Sequence, residues 1–460
     1  MAAIALQAFL YYVSLMKDLT QGSIPRHVIE MAVPMAVGML VQTLYFLVDL
    51  YFVGRLGDVA LAGVGGGGNI MFMIMALTQM LGVGTVALVS HAVGRKDRID
   101  ANLVFNQSLL LAAILGVATL VFGYVWSGYY MATIAADPAT VQAGMSYLYW
   151  YLPGLGLQFA LVAMGSALRG TGIVKPTMIV QMLTVVLNII LTPVLIAGWG
   201  TGKPMGVAGA GLASSLSIAA GVVLLWFYFN RLEKYVSVDP ALWRPQLPVW
   251  KRMLGIGFPA GGEFLLMFIY MAVIYWSIRD FGADAQAGFS IGSRVMQAVF
   301  LPAMALAFSA PAVAGQNFGA KLPERVRLTF RWTVLMSSVF MLSLTIFCQF
   351  EADLLVKSFS TEPEVIAVAA VFLTIISWNF VPTAFIFTCS GLFQAMGNTW
   401  PAMLSTATRL LTFVVPVVWV SQTQGFEIRH VWYISVTAVA LQALISYLLL
   451  RREFNRRLTF

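Results

Sequence analysis

The sequence predicts an all-α polytopic membrane protein: twelve transmembrane helices in two parallel six-helix repeats, or lobes, related by a pseudo-two-fold axis along the membrane normal. Three observations predict it. Of 460 residues, 60% are hydrophobic and only 10% are charged, whereas a soluble chain carries roughly 25% charged residues to cover its wet surface. The apolar residues come in runs of about 20, the length a helix needs to cross a bilayer core of about 30 Å. The Gly and Pro punctuation of the first half also recurs in the second half at one fixed offset.

Inside lipid every backbone polar group must be paired within its own segment, so runs of this length imply helices. Candidate spans fall near 29–53, 66–90, 103–125, 141–164, 176–198, 207–229, 253–279, 287–312, 329–350, 365–390, 400–420 and 430–450. Short polar joints separate them, among them GRKDRID, RGTGIVKP, GAKLPERVR and MGNTWP. The chain then divides into an N-terminal segment (1–27), an N-lobe (28–229), a long polar linker (230–252) and a C-lobe (253–460). The first 16 residues are apolar but lack the basic n-region of a cleaved signal peptide, and read as an interfacial helix.

Orientation follows from the loop cations. With both termini placed in the cytoplasm, Arg95, Lys96, Arg244, Lys321, Arg327, Arg451 and most other Lys and Arg fall inside. Outside are Arg55, Lys203, Arg279, Lys357 and Arg429. This bias accounts for a net charge of +8 without a nucleic-acid partner. The partners expected are membrane lipid and a small molecule, and the chain is expected to be a monomer.

Shifting the chain by 225 residues lays Pro34 on Pro259, Gly57 on Gly282, Gly94 on Gly319, Asp137-Pro138 on Glu362-Pro363, and Pro176 on Pro401. Each half holds six spans, an even number, so both enter the membrane from the same side and the repeats are parallel. Transporters built this way place substrate between the halves and rock one against the other.

The stretch from Pro34 to Asp49 and its continuation FVGRLGDVALAGV resembles the multidrug and toxic compound extrusion (MATE) family. So do LVSHAVGRKD, ALRGTGIVKPTMIV, LNIILTPVLI, GFPAGGE and AGQNFGAK. The resemblance covers nearly the whole chain, and the bacterial NorM-like branch is the most similar. It implies a two-lobe antiporter of the plasma membrane (the bacterial inner membrane). Such a protein exports amphiphilic, often cationic, drugs and metabolites in exchange for H⁺ or Na⁺, without a cofactor. A flippase for lipid-linked sugars, with a similar two-lobe plan, is the alternative. It would need a cavity rich in Arg and Lys for pyrophosphate.

A charge at the bilayer centre costs at least ~2.5–3.5 kcal/mol, so the intramembrane charges Asp49, Glu263, Arg294 and Arg409 are functional candidates. Gln42, Tyr45 and Asp49 recur at i, i+3 and i+7 and share one helix face. A carboxylate in a low-dielectric cavity can take up a proton near neutral pH, and deprotonated it can ligate Na⁺. The resemblance puts the N-lobe coupling acid at Asp49, with Asn188 and Thr192 as span-five partners. Thr192 stands where relatives carry Asp or Asn, so a two-carboxylate N-lobe mechanism does not carry over. H⁺ is favoured as the coupling ion, because span ten has no acid to complete a C-lobe sodium site.

Glu263 carries two readings: attraction of cationic substrate, or an ion pair with Arg294. The substrate cavity is expected near Gln42, Tyr45, Glu263, Met267, Tyr270 and Arg294. Arg409 reads as structural. The Gly65–Gly68 run lacks the Lys of a phosphate loop and suits close helix packing. Cys348 and Cys389 lie in apolar runs, and the three histidines lie far apart, so no disulfide or metal site is expected. A membrane enzyme would need clustered His, Asp or Ser constellations at membrane depth, and none is present.

Overall fold

The computed structural model describes residues 18–134, 137–199, 202–233, 235–357 and 362–459, with all their side chains except those of Phe46, Leu50 and Ala283. The interfacial helix expected over residues 1–16 lies outside the described residues. Among the described residues, twelve helices are long and apolar enough to cross a membrane. They are α1 (Ile24–Gly54), α2 (Asp58–Gly94), α3 (Arg98–Ile134), α4 (Pro138–Gly170), α5 (Lys175–Ala197) and α6 (Val207–Arg231) in the first half. The second half has α7 (Leu247–Phe281), α8 (Asp284–Gly319), α9 (Pro323–Lys357), α10 (Pro363–Ala395), α11 (Trp400–Ser421) and α12 (Ile428–Arg457). Each predicted span falls on one of them, and no strand occurs among the described residues.

Packing divides the chain into two compact units. Val37–Gly257 belongs to the first, and Leu19–Ala36 with Phe258–Phe460 to the second. The sequence divides the chain by its spans and polar linker, at 27/28, 229/230 and 252/253. The packing boundary instead lies inside α1 and α7, next to Pro34 and Pro259. Proline has no N–H for its carbonyl four residues back, so each of these helices lacks a rung close to the residue where its packing partners change.

In the first unit α4 is central and packs on α2, α3 and α6, while α5 packs on α6. The α2–α4 approach needs glycine: a Cβ on Gly63 would lie 2.7 Å from the Gly144 backbone nitrogen. Of the Gly65–Gly68 run, Gly66 and Gly67 meet side chains, while Gly65 and Gly68 face open space. Asp137 caps α4, accepting from the Thr140 backbone N–H at 2.9 Å. That bond holds its carboxyl below the usual carboxylate range.

The linker is strapped to α3. Asn106 accepts from Asp239 N at 2.8 Å and donates to Ser237 O at 2.9 Å. Gln107 donates to Leu242 O and Arg244 O and accepts from Gln246 N. Extended backbone carries donors and acceptors that must be matched, and two amide side chains match most of this strap.

In the second unit α10 is central, packing on α8, α9 and α12. It narrows to a 3₁₀ turn at Ser377–Asn379. Pro382 leaves the Trp378 carbonyl without a helical donor, and α9 serves the break: Thr345 donates to Ser377 O, and Gln349 to Thr374 O. Phe289, Phe372 and Trp432 form an aromatic core. Leu19 is held by Gln316, Asn317 and Arg325 of the same unit.

The repeat extends to backbone detail. Among the described residues the only non-glycine residues with positive φ are Lys96 (60°) and Lys321 (58°), 225 positions apart. Each follows a helix end, and the bonds Asp97 N to Ala92 O and Leu322 N to Asn317 O both measure 2.9 Å.

Candidate functional site

In the first unit the polar side chains of α1, α5 and α6 converge. Tyr45 donates to Ser214 Oγ at 2.6 Å. Asn188 Nδ2 lies 3.4 Å from the Tyr45 hydroxyl and 3.5 Å from Ser214 Oγ, both loose contacts. Thr192 reaches Asn188 Oδ1 at 3.3 Å, and Gln181 reaches Gln42 Oε1 at 3.3 Å. Asn188 and Thr192 are fully buried.

One turn along α1, Asp49 is 8% exposed, and its Oδ1 has no hydrogen-bond partner among the described residues. Tyr45, Tyr147 and Tyr151 lie within electrostatic reach of its carboxyl. Asn188 and Thr192 therefore share a cluster with Tyr45, and among the described residues no hydrogen bond joins either of them to Asp49. Burying a carboxylate oxygen unpaired is costly.

In the second unit Glu263 is buried. Ser390 donates to its Oε2 at 2.9 Å, and Thr406 makes a second side-chain hydrogen bond to it. Gln442 donates to Thr406 at 3.1 Å. Of the two sequence readings of Glu263, the ion pair is not seen: among the described residues no ion pair joins it to Arg294, which is exposed. Hydroxyls of α10 and α11 hold the carboxylate instead. Tyr270 meets Ser435 at 2.7 Å and packs on Phe413 at 4.8 Å. Arg409 stacks over the Tyr270 ring at 4.0 Å, and its Nε has no hydrogen-bond partner among the described residues. Met267 is half-buried between Glu263 and Tyr270 on α7.

Tyr147, Tyr151, Ser214, Ser390 and Thr406 were not singled out from the sequence. Hydroxyl residues are common in membrane helices, and these carry no spacing that marks them. One signal was available: Gln181 and Thr406 stand 225 apart. A Cβ at Gly38 would meet Gln181 as Glu263 meets Thr406.

A family model described as MatE matches residues 34–194 and 259–420, once in each repeat and at the same offset. The chain belongs to the MatE family. The probable multidrug resistance protein NorM of Thermotoga maritima is 26% identical over 86% of this chain and 85% of its own. The FAD transporter of Shewanella oneidensis is 24% identical over 87% of this chain and 90% of its own. A solved outward-facing multidrug resistance MATE transporter superposes with a TM-score of 0.88 at 25% identity, over 96% of this chain and 98% of that one. This MATE protein is thus an integral membrane transporter of the multidrug-efflux type with the twelve-helix, two-lobe fold, and not an enzyme.

Proposed function

We propose that this MATE protein is a secondary antiporter that exports amphiphilic cationic drugs or metabolites in exchange for H⁺, by alternating access between its lobes. Na⁺ at Asp49 is the alternative coupling. The observation that carries the reading is the buried Asp49 carboxyl with Oδ1 unpartnered among the described residues, one turn along α1 from Tyr45, which Asn188 approaches. Among the described residues no cation pairs with this carboxylate, which suits neutralisation of its charge by a mobile ion. Hydroxyls hold Glu263, and among the described residues no arginine pairs with it, which suits attraction of a cationic substrate near Gln42, Met267, Tyr270 and Arg294.

The loop cations support a bacterial inner-membrane protein with both termini cytoplasmic, acting as a monomer without a cofactor. A lipid-linked oligosaccharide flippase is not favoured, since the family match and relatives named for multidrug resistance point to drug efflux. One observation favours a second substrate class: Arg294 is exposed, and Arg409 has no acid partner among the described residues. Both would suit a substrate bearing an anionic group.

Everted vesicles separate these readings. An imposed pH gradient alone should drive accumulation of ethidium, and an anionic dye should not compete. Transport driven by a Na⁺ gradient alone would reverse the ion assignment. Competition by the anionic dye would reverse the substrate class.

A further inference from the structure

The second unit carries a cluster of arginines that the transport reading does not use. On the last turns of α12, Arg451, Arg452, Asn455 and Arg456 line a shallow, open cavity on that helix's surface. A second cavity of about 190 Å³ shares Arg451 and adds Arg327, Arg331 and the rings of Phe330, Tyr447 and Phe454. The nearby acids are already engaged: Glu324 pairs with Arg327 at 2.6 Å and Glu453 with Arg457 at 2.8 Å. Arg331, Arg451, Arg452 and Arg456 are exposed and have no carboxylate partner among the described residues. Arg452 and Arg456 are also i, i+4 neighbours, a spacing at which like charges repel. Folding alone gains nothing from this arrangement, and a bound anion would relieve it.

We propose that Arg331, Arg451, Arg452 and Arg456 form a binding site for the phosphate of an anionic phospholipid. The headgroup phosphate would lie among the guanidinium groups, whose planar forks match phosphate oxygens. The aromatic side of the second cavity would take the acyl chains: Phe330 packs edge-on to Phe385 at 5.8 Å and to Phe454 at 5.9 Å. A basic pocket between α9 and α12 with aromatic rings in its wall fits a lipid headgroup better than a soluble anion. A cluster placed only to set orientation needs neither a cavity nor an aromatic wall.

Native mass spectrometry of the purified full-length protein tests the site, with dioleoyl phosphatidylglycerol and dioleoyl phosphatidylethanolamine as probes. Phosphatidylglycerol should bind selectively. The variant R331Q/R451Q/R452Q/R456Q should lose at least ~100-fold in its affinity, taking roughly fivefold per basic residue near a membrane surface. A variant with as many neutralised loop cations elsewhere, K96Q/R231Q/R244Q/K251Q, should keep it. Melting curves in lipid-free detergent should coincide for the two variants, which separates loss of the site from loss of the fold. Three results would overturn the proposal. Both variants could weaken equally, the two lipids could bind the wild type alike, or inorganic phosphate could displace phosphatidylglycerol at millimolar concentration.

Discussion

Tyr45 donates to Ser214 at 2.6 Å, and 225 residues later Tyr270 makes the same kind of contact to Ser435 at 2.7 Å. The tyrosines are equivalent in the repeat, but their surroundings are not. Tyr45 lies against Asn188, whereas Tyr270 packs on Phe413, the residue 225 positions after Asn188. Asp49 corresponds to Ile274, which sits in the apolar core of the second unit. One framework thus carries a polar cluster in one unit and an aromatic one in the other.

The Tyr45–Ser214 bond supports the helix turn that carries Asp49. Tyr45→Phe removes the donor and leaves the ring in place. Efflux of ethidium should fall about fivefold, the rate equivalent of about 1 kcal/mol, with the protein still folded by size-exclusion profile. An unchanged rate would show that this bond does not position the site.

Glu263 depends on its hydroxyl donors. Glu263→Gln retains an acceptor for Ser390 and Thr406, so the melting temperature should stay near wild type while selectivity for cationic over neutral dyes drops. Ser390→Ala instead removes a donor from a buried carboxylate and should cost about 1–3 kcal/mol. Thermal denaturation in detergent compares the two, and equal stability would contradict the assignment.

The linker strap rests on few side chains. Gln107→Ala frees three backbone groups at Leu242, Arg244 and Gln246. Local opening that becomes easier by about 1–2 kcal/mol raises proteolysis about 5–30-fold when cleavage samples the open state. Limited trypsinolysis should therefore cut after Arg244 or Lys251 faster in the variant, with no change elsewhere.

The α2–α4 contact tolerates no side chain at Gly63. Gly63→Val pushes carbon into the Gly144 backbone, which cannot yield as a flexible side chain would. Overpacking costs typically about 1–3 kcal/mol, so folded yield should fall sharply, whereas Gly65→Ala, facing open space, should be neutral.

The fold was legible because it rests on run length and repetition. Twelve apolar runs and the register from Pro34 to Pro259 needed only counting. The charged candidates were legible for the same reason, since Asp49 and Glu263 stand out in runs of apolar residues. Their partners were not. Ser214, Ser390 and Thr406 look like any hydroxyl in a membrane helix, and only the packing of α1 on α5 and α6, or of α7 on α10 and α11, selects them. Arg294 illustrates the converse: as an intramembrane cation it was the obvious counter-ion for Glu263, yet side-chain direction decides pairing, and two hydroxyls occupy that place. The strapping of the polar linker was not legible either: Asn106 and Gln107 lie on α3, more than 120 residues earlier in the chain, and sequence proximity gives no sign of them.

The most direct test of the central claim is ethidium transport by Asp49→Asn in proteoliposomes under an imposed pH gradient. The substitution keeps size and polarity but can neither release a proton nor carry the charge that binds one. Gradient-driven accumulation should fall to the level of empty liposomes while ethidium still binds the purified variant. Accumulation at the wild-type rate would contradict the account.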